Sequence, residues 1–232
     1  SIEKELAIVE NSRDIVILVD LSFSMLAQDF EPNRLEFLKE YLKLILKDKK
    51  DGDRISLIGF EGDTYGFCKL SSDYNTLNSL VDSLKTGLLK NGTALGDAII
   101  VALKELKSSG SKDKRIIFFT DFVNNSGLYH PNLAAEIAGA SGVAISTVVV
   151  GTTGMVNSPI SNFPNGNFRY DWVKSEIDFE FIRGLSTLSG GVFYQLNPEK
   201  LNNPSYESIL KKANPLTKHK INNSIIEMIL KD

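Results

Sequence analysis

RDIVILVD, residues 13–20, is an unbroken apolar run rich in β-branched residues that closes on an aspartate. A run without polar alternation is the pattern of a parallel strand buried on both faces, and Asp20 then stands at its carboxyl end. Downstream, Arg34 to Lys47 spaces Leu35, Phe37, Leu38, Tyr41, Leu42, Ile45 and Leu46 at the period of an amphipathic helix. The DGD at 51–53 breaks that helix, and RISLIGF at 54–60 restores strand character. Strand, helix, strand is the opening of an α/β sheet.

The alternation continues. TYGFCKL, 64–70, follows the tight EGD turn and predicts an antiparallel edge strand, and Tyr74 to Leu84 predicts a helix capped by Ser72 or Asp73. A further helix starting near Thr93 buries Leu95, Ala98, Ile99, Ala102, Leu103 and Leu106. KRIIFFTD, 114–121, is a second buried strand ending in an aspartate; Pro131 to Ala140 reads as a helix and VAISTVVVG, 143–151, as a central strand. Asp178 to Leu188 is the last large helix, SGG its stop, and VFYQL an edge strand. Gly154 to Trp172, rich in Gly, Asn, Pro and Ser with isolated aromatics, reads as a surface insertion or hairpin. The expected fold is therefore α/β and Rossmann-like. It is a three-layer αβα arrangement over residues 1–196, with a mostly parallel central sheet and an antiparallel edge strand. Residues 197–232, punctuated by Pro198, Pro204 and Pro215, form a helical extension that docks on the domain or leads to a membrane anchor, with helical segments at Tyr206 to Ala213 and Ser224 to Leu230.

Composition removes several function classes. With 26 Lys and Arg against 29 Asp and Glu, the chain has no excess of positive charge to attract nucleic acid. The single cysteine excludes an intramolecular disulfide; Cys68 reads as a buried thiol on a strand, and neither His130 nor His219 is spaced to act as its base. Without a run of about eighteen apolar residues, this segment is not expected to insert in a membrane. Its start, SIEKEL, has neither Met nor a signal-peptide pattern and reads as part of a longer protein.

The chemistry concentrates at the carboxyl ends of the two long strands, where ligands of open α/β sheets bind. Asp20-Leu21-Ser22-Phe23-Ser24 offers a carboxylate and two hydroxyls, and Thr93 and Asp121 stand across the crevice. All five are hard oxygen donors suited to Mg²⁺, with Mn²⁺ or Ca²⁺ as substitutes, and no soft ligand invites zinc or copper. Each residue alone has a plainer reading: Ser22, Ser24 or Thr93 as helix caps, the aspartates as ordinary strand ends.

DLSFS resembles the Asp-x-Ser-x-Ser string of the metal-ion-dependent adhesion site (MIDAS) of von Willebrand factor type A (VWA) domains, and Thr93 and Asp121 resemble that site's distant threonine and aspartate. The resemblance implies that Ser22, Ser24 and Thr93 contact the metal through hydroxyls, that Asp20 and Asp121 bind it largely through hydroxyls or water, and that a partner's Asp or Glu completes the coordination. SMLAQDFEPNRLEFLKEYL, DRISLIGFEGDTYGFCKLSSD, GTALGDAI, IIFFTDFVNNSG and LSGGVFY are similar, over roughly residues 10–196, to the bacterial aerotolerance (Bat) group of membrane-anchored VWA proteins. That likeness implies a soluble segment on the far side of the cytoplasmic membrane, next to a transmembrane anchor. Phe23 and Phe122 stand where the family usually has glycine, so they reshape the site, pack locally, or form an apolar rim for the partner. Asn124 and Asn125, with Ser126, are candidate partner contacts on the same face, and Asp29 is a candidate ion pair for Arg34 or a local turn residue.

The expected function is metal-dependent protein binding. An alternative is an interaction scaffold with a degenerate metal site that uses the 154–172 insertion. A Mg²⁺-dependent phosphohydrolase with Asp20 as nucleophile is disfavoured: serines occupy positions 22 and 24 where a second carboxylate would serve, and no phosphate loop or dinucleotide fingerprint occurs. The chain is read as a non-enzyme.

Overall fold

The computed structural model describes residues 12–121, 126–216 and 221–231. Its elements are β1 (Arg13–Asp20), a 3₁₀ turn (Phe23–Leu26), α1 (Arg34–Lys47), β2 (Arg54–Phe60), β3 (Thr64–Ser71), α2 (Tyr74–Ser83), α3 (Leu95–Lys107) and β4 (Asp113–Thr120). They continue as α4 (Pro131–Ala140), β5 (Ala144–Val149), β6 (Gly154–Asn162), β7 (Phe168–Ser175), α5 (Phe179–Ser189), β8 (Phe193–Gln195), α6 (Tyr206–Ile209) and α7 (Asn223–Ile229).

The main sheet runs β3-β2-β1-β4-β5-β8. Every neighbouring pair is parallel except β2 and β3, which makes β3 the antiparallel edge. The apolar run of β1 is explained by its central place. Ile15, Ile17 and Val19 enter a core formed with α1, α2 and α6, while Val16 and Leu18 enter a second core with α3, α4 and α5. A strand covered on both faces has no polar side to show. The chain leaves β1 toward β2 on one side and later returns as β4 on the other, so β1 and β4 flank the point where strand order reverses.

Caps set the helix starts. Asn33 accepts the Glu36 amide for α1, Asp73 accepts the Asn75 and Thr76 amides for α2, and Asp178 accepts the Phe181 amide for α5. Residues 154–175 form a separate two-stranded hairpin, β6 on β7. Its base is tied to the loop after β1, where the Gln28 amide donates to the Asn157 carbonyl at 2.9 Å and the Asn157 side-chain amide donates to Gln28 Oε1 at 2.6 Å.

α6 is shorter than the expected Tyr206 to Ala213. Beyond it the chain turns away, and the Ala213 and Leu216 amides donate to the Gly190 and Thr187 carbonyls at 2.9 and 3.0 Å. At the end of β1 opposite Asp20, Arg13 forks onto Asp53 and Glu207, and the buried Tyr206 hydroxyl donates to Asp53 at 2.8 Å. No helix among the described residues is long and apolar enough to cross a membrane.

Candidate functional site

Asp20 is the last residue of β1 and has no exposed surface. Parallel pairing of Asp20 with Phe60 of β2, and of Val19 with Phe119 of β4, fixes its backbone, and the Leu21 amide donates to the Phe60 carbonyl at 2.9 Å, which turns the chain over the end of the sheet. One carboxylate oxygen accepts the Ser22 amide at 2.9 Å and the other accepts the Thr120 hydroxyl. Burial, and then the nearby Asp121 carboxylate, push Asp20 up to about 7 despite these bonds. Two acids are thus held close together out of water.

The start of the 3₁₀ turn carries the next two candidate residues. Ser22 occupies its N-cap position yet makes no side-chain cap; its hydroxyl meets the Ser24 hydroxyl at 2.9 Å. Thr93 is buried one position before Ala94, which is the cap position of α3, and the Ala94 amide is tied to the Glu61 carbonyl at 2.8 Å. The buried Glu61 carboxylate also accepts the Gly87 and Leu89 amides, so one acid on the end of β2 pins the loop that leads to Thr93. Asp121 follows β4 directly and is 3% exposed. All five candidate ligands therefore sit at the carboxyl ends of β1 and β4 or on the loops beside them.

Two further residues complete the cluster. Thr120, unmarked in the sequence, faces Asp20. Arg34, at the first position of α1, is anchored by a two-pronged ion pair to Asp29, with Nε to Oδ1 at 2.7 Å and Nη2 to Oδ2 at 2.8 Å. Its Nη1 donates to Asp121 Oδ2 at 2.9 Å. Asp29 also accepts the Thr152 amide and hydroxyl, and although burial pushes it up, the Arg34 bonds and charge hold its carboxyl below the ordinary range. The reading of Asp29 as a partner of Arg34 holds; the reach of Arg34 to Asp121 carried no local signal, since 87 residues separate them.

Phe23 is half-buried. Its ring meets Phe168 of the hairpin edge-on at 5.0 Å, and a side chain on Gly87 would touch it. Ser126 lies at the face, where its amide donates to the Thr93 carbonyl at 3.3 Å. Phe122, Asn124 and Asn125 lie outside the described residues. Asp97, early in α3, accepts the Leu128 and Tyr129 amides and so ties down the loop that follows Asp121. A cleft of about 380 Å³ opens between this cluster and the hairpin base, lined by Ser24, Arg34, Asp121, Ser158 and Ser175 among others.

The donor types are those that a hard divalent cation takes. No three His, Cys, Asp or Glu side chains are grouped for a metal among the described residues. Asp20, Ser22, Ser24 and Asp121 are linked by short contacts and Thr93 lies on the adjoining loop, a set of oxygen donors that suits an oxygen-loving ion and not a soft one.

The sequence profile of the von Willebrand factor type A domain matches residues 15–124, a span that contains Asp20, Ser22, Ser24, Thr93 and Asp121. The chain carries a VWA domain. It is related to the aerotolerance group of bacterial membrane-anchored VWA proteins. An aerotolerance-related membrane protein from Bacteroides fragilis superposes with a TM-score of 0.74 at 26% identity, over 84% of this chain and 96% of that one. BatB from Bacteroides thetaiotaomicron gives 0.69 at 25% identity, over 79% and 90%. Proximal thread matrix protein 1 of the mussel byssus, whose structure has zinc in its MIDAS motif, gives 0.65 at 19% identity over 87% and 46%, a likeness of fold alone.

Among curated proteins, an uncharacterized protein of Borreliella burgdorferi is 29% identical over 94% of this chain and 64% of its own length. A protein of Nocardia farcinica is 27% identical over 79% and 58%. The chain thus spans about three fifths of the length of these relatives. The VWA domain is a non-catalytic protein-interaction module.

Proposed function

We propose that the VWA domain docks a protein partner on the crevice face of its sheet and that a Mg²⁺ ion held there makes a partner's Asp or Glu the central contact. Ser22, Ser24 and Thr93 would hold the ion, with Asp20 and Asp121 behind them. The observation that supports this reading is a charge balance. Arg34 pairs with Asp29 and Asp121, while the buried Asp20 beside them is met by the Ser22 amide and the Thr120 hydroxyl, so with all three acids ionised the group carries two more negative charges than Arg34 offsets, which a divalent ion would cancel. When bound, the ion supplies positive charge at the floor of the crevice for an incoming carboxylate. Mn²⁺ and Ca²⁺ can take its place. Phe23, Phe122, Asn124 and Asn125 are the proposed partner contacts around it.

A second reading keeps the docking role and dispenses with the ion. It is favoured by the protein donors already on both acids, Arg34 on Asp121 and Thr120 on Asp20. Contacts would then come from the β6–β7 hairpin, where Met155, Ile160, Phe163 and Trp172 stand exposed. Mn²⁺ titration followed by water-proton relaxation separates the two. Saturable enhancement in the native chain that is lost in Asp20→Ala and Thr93→Ala supports the ion site; equal responses from all three chains rule it out and leave the hairpin reading.

In this proposal the domain belongs to a longer anchored protein and faces away from the cytoplasm. Protease added to right-side-out vesicles should digest it. Digestion in inside-out vesicles alone would overturn that orientation.

A further inference from the structure

Arg34 is the one cation in hydrogen-bond contact with the site's carboxylates among the described residues, and it is built in, not laid on the surface. Its side chain is 4% exposed, clamped by both oxygens of Asp29 and within 3.4 Å of the Ser175 hydroxyl at the hairpin base. A side chain on Gly151 would stand 3.0 Å from its guanidinium carbon, so the group is also held by packing. Asp29 is fixed in turn by the Thr152 amide and hydroxyl. This anchoring leaves Nη1 aimed at one oxygen of Asp121.

We propose that Arg34 is a positioning residue that tunes the site toward carboxylate capture: it holds Asp121 by one oxygen and offsets its charge, so a bound divalent ion keeps more positive charge for the partner. The inference rests on the ion-binding reading above. Its physical content is a trade. A fixed positive charge beside the site weakens ion binding and strengthens the attraction of the occupied site for a carboxylate. A purely structural arginine would support both functions, and its loss would weaken both.

The trade has a measurable signature. Mn²⁺ affinity is read by water-proton relaxation, and carboxylate capture by the fall in that enhancement as acetate displaces water from the protein-bound ion, with free Mn²⁺ and acetate as the control. Arg34→Gln should bind Mn²⁺ more tightly, on the order of tenfold, and should need a correspondingly higher acetate concentration for half-displacement. Arg34→Lys, which keeps the charge without the fork, should return both values toward native. If Arg34→Gln fails to fold because Asp29 is left buried without a partner, Arg34→Gln with Asp29→Asn removes that acid. In the double variant acetate capture should still be weaker than native, because Asp121 has lost its cation.

Weaker Mn²⁺ binding in Arg34→Gln, or acetate capture unchanged in Arg34→Gln or in the double variant, overturns the role of Arg34 while the ion site stands. No saturable Mn²⁺ response in the native chain removes both the ion site and this role.

Discussion

Gly96 lies in the first turn of α3, where two effects of opposite sign compete. On an exposed helix Gly→Ala stabilises by about 1 kcal/mol, because alanine loses less backbone freedom on folding. Here an added Cβ would stand 1.9 Å from the Tyr129 carbonyl oxygen, far inside the 3.4 Å at which ordinary contact begins. The obstacle is backbone, so it cannot swing aside. It is also held: the Tyr129 amide donates to Asp97 at 2.8 Å, one residue along the same helix. Overpacking of this kind costs about 1–3 kcal/mol, and weakened charge-assisted bonds from Leu128 and Tyr129 to Asp97 add about 1–2 kcal/mol. Clash outweighs propensity, and Gly96→Ala should lose about 2 kcal/mol net, near 1 M in urea midpoint at an ordinary denaturant slope. Gly184, inside α5 with nothing within 4 Å of an added Cβ, is the matched control and should gain stability as alanine. Urea unfolding followed by far-UV circular dichroism tests both, and a Gly96→Ala chain as stable as the native one would refute the reasoning.

Acid stability should depend on Asp14. Burial pushes its carboxyl up, but hydrogen bonds from Arg54 and Ser109 with the Arg54 charge hold it below the ordinary value. A depressed folded value contributes stability above the unfolded carboxylate range and loses it as pH falls through the folded value. Melting temperatures below about pH 4 should therefore drop less steeply in Asp14→Asn than in the native chain, and parallel acid limbs would show that Asp14 has no such part. At the same end of the sheet, Tyr206→Phe removes the buried bond to Asp53 while Arg13 still holds that acid, and should cost about 1–2 kcal/mol in urea unfolding. An unchanged midpoint would mean that α6 is held by its apolar contacts alone.

The fold was legible because its signals are local and repeated. RDIVILVD and KRIIFFTD declare buried strands by the absence of polar alternation, and the helices declare themselves by apolar period and by caps such as Asp73 and Asp178. The position of Asp20 and Asp121 was legible for a related reason: strand ends in an open α/β sheet are where ligand groups gather, so the two could be paired before any contact was known. The hairpin at 154–175 was half-legible. Gly, Asn and Pro marked an excursion, but its strands face solvent and carry no buried stripe to fix their register in advance.

Tertiary structure alone decided what surrounds those oxygens. Nothing local to Arg34 points to Asp121, to which its guanidinium donates, and nothing local to Thr120 singles it out as the hydroxyl on Asp20. Phe23, equally readable as a rim or as packing, is placed against Phe168 by the way the hairpin folds back over the 3₁₀ turn. Glu61 and Asp97 carry no sequence signal that ties them to the site, yet each anchors the backbone of a loop beside it. The physical reason is the same in every case. Periodicity and capping are properties of neighbouring residues, whereas the charge balance of a buried site is set by groups that only the crossovers of the sheet bring within hydrogen-bond reach.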